Sequence, residues 1–220
     1  LWFYWELLLF YMTIRERESS MERECYAKII QVNLKHNFIY PFLATVFIGV
    51  FAAMLFNLKA LPAVAALQPI ELLMCFTGVM MMTPVFLPEQ NPDIKDVICS
   101  KWVDYTRVCL IRFAYSIVSV VIVNIIFVLA MKVQESEISG FHIFAAIAGA
   151  LFLGAIGFFV SGITGNATAG YMVAMGYYLI NYGAKKKLGV FNMFSGSVEA
   201  FEDKAWLVLW AAALVTITFV

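Results

Sequence analysis

The chain has 220 residues, 63% of them hydrophobic and 14% charged, with 15 Lys and Arg offset by 15 Asp and Glu. A soluble domain carries about 25% charge, so this chain lacks the polar surface to cover a water-facing globule, and the bilayer is its expected solvent. Zero net charge says little about partners, because the charges are segregated along the chain. No basic stripe interleaved with aromatics occurs, so nucleic acid is not an expected partner.

In chain order, residues 1–36 read as an N-terminal interfacial segment. The opening LWFYWELLLFYM is apolar but too short to span, and it lacks the basic start and small-residue cleavage site of a signal peptide. Further on, Ser19 and Glu22 fit a capping box and Glu24 pairs with Lys28 four residues later. Tyr26, Ile29, Ile30 and Leu34 recur at helical spacing opposite Arg23, Lys28 and Gln31. An apolar stripe with a basic face suits a helix lying on the membrane.

A helix needs about 20 apolar residues to cross the hydrocarbon core. Apolar runs satisfy this at 37–58, at 66–87 interrupted only by Glu71, at 113–131 with the helix starting a turn or two earlier near 107, and at 140–162. Shorter ones follow at 168–183 and 204–220, with the break between the fourth and fifth in SGITGNATAG. The expected fold is therefore all-α and polytopic, with six transmembrane helices over 37–220, an N-terminal amphipathic helix and a short cytoplasmic helix. Lys and Arg crowd the segment before the first span and the loop 88–106, which puts both, and the N-terminus, in the cytoplasm. Lys185, Lys186 and Lys187 dissent, falling in the outer segment 184–203.

Loop 88–106 contains the polar stretch PEQNPDIKDVICSKWVD. Asn91 is a good N-cap, Pro92 suits the first helical position, and Asp93 complements the positive helix end. Ile94, Val97 and Ile98 then form one apolar ridge. A joining loop needs only a few residues, so a capped helix here reads as a docking element for another protein.

These features resemble the permease subunits of ABC-2 type transporters. The resemblance rests on the amphipathic entry helix, six spans, Glu89 closing the second span in LPEQNPDIKDVICSKW, the cytoplasmic helix after it, and TGNATAGYMVAMGYYLINYG before the last span. It implies a homodimer of permeases carrying two ABC ATP-binding subunits, with Glu89, Asn91, Asp93, Ile94, Val97 and Ile98 in the ATPase-coupling element. ATP and Mg would be held by the partner subunit, since no GxxxxGK[ST] loop occurs in this chain. It also implies a multi-pass protein of a bacterial cell membrane. Among short family members, exporters of phenol-soluble-modulin-type amphipathic peptides are the nearest in kind.

Ionisable residues inside the spans are scarce, Glu71 near the outer interface being the candidate. Buried charges mark ion paths, so their scarcity argues against an ion-coupled carrier and favours a passage for hydrophobic or amphipathic cargo. Candidates for that passage are Met80, Met81, Asn124, Asn181 and Phe191, with Phe191 in a re-entrant element before the last span. For the two asparagines, hydrogen bonding between helices is the first expectation. Ala146, Ala150 and Gly154 form a small-residue seam in the fourth span. Cys25, Cys75, Cys99 and Cys109 lack paired spacing and His36 and His142 lie far apart, so no metal site and no catalytic residue is expected here. The competing readings are a lipid-modifying membrane enzyme, with Asp93, Asp96 and Asp104 as its carboxylates, and a channel or structural subunit.

Overall fold

The structure is a computed structural model that describes residues 28, 30–90, 105–184, 189, 191–194 and 201–219. The described residues form helices and their connections, with no strand among them. We number the long helices α1 (Ile30–Leu55), α2 (Ala63–Pro88), α3 (Tyr105–Val133), α4 (Gly140–Thr164), α5 (Ala167–Ala184) and α6 (Phe201–Phe219). Four of them, α1 to α4, are long and apolar enough to cross a membrane. The described part of the expected interfacial segment runs into α1 without a break from Ile30. Its remainder, apart from Lys28, lies outside the described residues, as does the segment 91–104.

Prolines explain where the helices depart from α geometry. A π-helical turn, Leu34–Phe38, precedes Pro41, a second, Ile70–Met74, follows Pro69, and α2 runs on as a 3-10 helix, Thr83–Gln90, that contains Pro84 and Pro88. Proline has no N–H to give and its ring crowds the carbonyl four residues back. The ladder therefore widens or tightens beside each one. In α2 two of these irregular stretches offer a backbone carbonyl to a side chain from another helix, Leu72 O to Tyr178 and Val85 O to Arg112.

Helix α4 is the hub, packing against α2, α3, α5 and α6. Small residues let the backbones meet. A Cβ on Gly78 would overlap the backbone of Ala150, and one on Gly154 would lie 2.5 Å from the sulfur of Met82 and 2.8 Å from the carbonyl of Gly78. The seam expected at Ala146, Ala150 and Gly154 thus seats α4 on α2. In lipid, where burial of apolar surface gives no net drive, such close packing holds helices together. At the C-terminal end of α4, Gly165 adopts the left-handed conformation (φ 62°) and ends the helix. Asn166 then accepts from Thr168 N at 2.9 Å and opens α5.

The six helices alternate in direction. The α1–α2 and α3–α4 connections meet at one end: Ala60 N donates to Gln134 O at 2.9 Å, Ser136 Oγ donates to Leu58 O at 2.6 Å, and Leu61 N donates to Ser136 Oγ at 3.2 Å. There His142 closes a capping box with Ser139, and its Nε2 lies 2.9 Å from Ala63 O. At the opposite end, the rings of Phe86 and Phe113 lie 4.9 and 4.6 Å from that of Phe158, and Phe219 lies 5.5 Å from the same ring. This joins the ends of α2, α4 and α6 to the start of α3.

Candidate functional site

The first polar site sits where α2, α5 and α6 converge. Glu71 lies in the π turn of α2, and Lys204 stands in the first turn of α6, fully buried. Lys204 Nζ donates to Glu71 Oε1 at 2.7 Å and also to the backbone carbonyl of Met193. An ammonium at a helix N-terminus opposes the helix dipole, and a buried charge is tolerated only when paired and hydrogen-bonded. The Glu71 carboxylate and the Met193 carbonyl meet both demands. Glu202 and Asp203 in the same first turn complement the dipole.

The segment Phe191–Phe194 is held by a second clamp. Asn181 of α5, fully buried, donates to Phe191 O at 2.8 Å and accepts from Met193 N at 2.9 Å. Tyr177 donates to the same Phe191 carbonyl at 2.7 Å. One amide side chain thus serves two backbone groups, as a neighbouring strand would. The π turn frees Leu72 O, which accepts from Tyr178 at 2.9 Å. Around the clamp, the Phe194 ring stands 5.5 Å from Tyr178 and 5.8 Å from Tyr182, and Phe191 stands 5.4 Å from Trp210. The arrangement fixes the segment Phe191–Phe194 to three helices through one ammonium, one amide and one phenol hydroxyl.

The second site lies toward the other end of α2, roughly 20 Å along the axis from Glu71 by helical rise. Arg112 of α3, 4% exposed, donates to Val85 O in the 3-10 turn at 3.3 Å. It lines a crevice of about 20 Å³ with Asn37, Phe38, Pro84 and Ser116, room for about one water molecule.

The expected scarcity of charge inside the bundle is corrected here: Lys204 is fully buried against Glu71, and Arg112 is buried within α3. The sequence put Lys204 at the edge of a span, and nothing in hydropathy shows that the helix start is tucked beneath the segment before it. The passage candidates separate into two places. Asn181 and Phe191 belong to the clamp. Met81 and Asn124 lie in the α2–α3 seam, where Asn124 donates to Thr77 Oγ1 at 2.9 Å and Val120 O at 2.8 Å, and Met81 packs with Val120. Met80 is half-buried on α2. The coupling residues Asn91, Asp93, Ile94, Val97 and Ile98, and the side chain of Glu89, lie outside the described residues. Sequence reading missed Lys204, Tyr177, Tyr178 and Arg112. The signal available for Lys204 was one base abutting a 16-residue uncharged run.

The fold is that of a helical membrane protein in the length and composition of α1 to α4. Comparison of the chain with protein-family models, curated proteins and solved structures finds no match in any of the three.

Proposed function

We propose that this chain is the membrane-spanning subunit of an exporter driven by a separate ATPase, working as a homodimer with two ABC ATP-binding subunits in a bacterial cell membrane. All six helices cross the bilayer in this reading, with the N-terminus in the cytoplasm. At 18 and 19 residues, α5 and α6 rise about 27–29 Å, close to the roughly 30 Å hydrocarbon core. The observation that carries the proposal is the clamped segment Phe191–Phe194 between α5 and α6, whose backbone groups are taken by Asn181, Tyr177 and Lys204. Backbone outside the long helices at bundle depth is tolerated where protein buries it or it borders a cavity. The buried charges do not revive an ion-coupled carrier by themselves, because Glu71 and Lys204 neutralise each other. The cargo of this reading is hydrophobic or amphipathic, an amphipathic peptide first.

The test is purification of the tagged chain in mild detergent, followed by ATP turnover in nanodiscs. The expectation is a stoichiometric ATPase carrying its own phosphate loop, with no hydrolysis by the isolated chain. Ile94→Asp with Ile98→Asp should abolish partner retention, since it forces two carboxylates into an apolar contact. A pure chain that turns over a lipid without any ATPase would replace the exporter by the membrane enzyme.

A further inference from the structure

We propose that Phe191–Phe194 is a gate segment and Lys204 its latch, a proposal that rests on the exporter reading only for what the gate opens onto. Three observations meet at this point. A single ammonium ties helix α2 (Glu71), the segment (Met193 O) and its own helix α6 together. A single amide, Asn181, ties the same segment to α5 from the other side. Asn192–Phe194 lie outside regular helix, so their backbone groups rely on these side chains. The segment's side chains differ in environment: Asn192 and Met193 are buried, while Phe191 is 40% exposed.

The latch works through two different bonds from one atom. The bond to Glu71 keeps Lys204 in place. The bond to Met193 O transmits that placement to the segment. Any event that draws the Glu71 carboxylate away, such as a shift of α2 at its π turn, leaves a buried ammonium without its counter-ion. Lys204 must then follow the carboxylate or move toward water, and either movement breaks its hold on Met193. Asn181 and Tyr177, both of α5, then hold the segment. Opening is thereby tied to relative movement of α2 and α6.

The test uses the full chain with Cys25, Cys75, Cys99 and Cys109 replaced by Ala, a reporter Met193→Cys, and maleimide labelling in liposomes. A second reporter, Glu135→Cys, serves as an exposed reference. Labelling at position 193 should be slow with the native latch. The paired change Glu71→Gln with Lys204→Met removes both charges and leaves no buried ion. The exchange Glu71→Lys with Lys204→Glu keeps an ion pair, but the new carboxylate cannot donate to Met193 O. Both should remain monodisperse on size exclusion yet label about tenfold faster or more, because the hydrogen-bonded ammonium is gone. Asn181→Leu should act in the same direction. Folded double variants that label at the native rate would overturn the latch. Fast labelling in the variants with no change on ATP turnover in the ATPase complex would sustain the latch and remove ATP-driven opening.

Discussion

Two glycines illustrate how much a single methyl group decides in this bundle. Gly78 faces Ala150 so closely that a Cβ would overlap its backbone, whereas Gly176 on α5 has nothing within 4 Å of that position. Overpacking of this kind costs typically about 1–3 kcal/mol, and 1 kcal/mol moves the midpoint of a chain this size by about 2–4 °C. Gly78→Ala should therefore lower the thermal midpoint in detergent by roughly 2–12 °C. Gly176→Ala should leave it unchanged or raise it, since alanine is the better helix former. Equal shifts at both positions would mean that the α2–α4 approach is not the constraint. Glycine at 78 carried no label in the sequence. Ala146, Ala150 and Gly154 did, because their repeat marks a seam, but a repeat on one helix does not name the residue that faces it.

Helix α2 is the element that sequence reading described least well. Its span was plain from hydropathy, yet the π turn Ile70–Met74 and the 3-10 ending Thr83–Gln90 were not. Both depend on which backbone carbonyls find side chains elsewhere: Leu72 O finds Tyr178, 106 positions away, and Val85 O finds Arg112, 27 positions away. Glu71 and Lys204 are 133 positions apart, so their pairing could not be read from local spacing. What was legible came from local chemistry. The uncharged runs gave the helices, and Gly165 with Asn166 gave the break between α4 and α5.

The π turn also makes a prediction at this scale. A π turn holds one residue more than an α turn would. Deleting Leu73 should convert it to α-helix and rotate residues upstream by about 100°, turning Glu71 away from Lys204. The variant should lose stability, as removal of one partner from a buried ion pair costs about 3–5 kcal/mol. Adding Lys204→Met should recover part of that loss by removing the stranded charge. A deletion equally harmful with Lys204 and with Met at that position would show that the turn serves packing and not the pair. Thermal denaturation monitored by fluorescent size exclusion separates the two.

At the scale of the whole molecule, the alternating helices fix which connections share an end. Gln90 and Asn166 belong to one end of the bundle and Glu135 to the other. If all six helices cross, a cysteine at Gln90 or Asn166 should be labelled from the cytoplasm and one at Glu135 from outside. Labelling of Gln90 and Asn166 from opposite faces would break the alternation across α3 and α4. Which connections follow one another along the bundle was legible from the order of the apolar runs. The burial of the α6 start was not, because a hydropathy window sees Lys204 as a boundary and cannot see what covers it.

The zipper between the α1–α2 and α3–α4 connections carries a consequence for how the protein is born. Leu58 O, Leu61 N and the carbonyl of Ala63 are served by Ser136 and His142, residues some 75 to 79 positions later in the chain. On the ribosome, the first hairpin emerges long before its partners exist. Until residues 134 to 142 have left the exit tunnel, that corner lacks its native partners and stays open to water. A nascent chain arrested with residues up to 133 outside the tunnel should therefore be cut by added protease near Asn57 to Ala60. One arrested with residues beyond 145 outside should resist. The first half of this bundle is then a single unit of biogenesis, and its last-arriving fastener is the His142 ring.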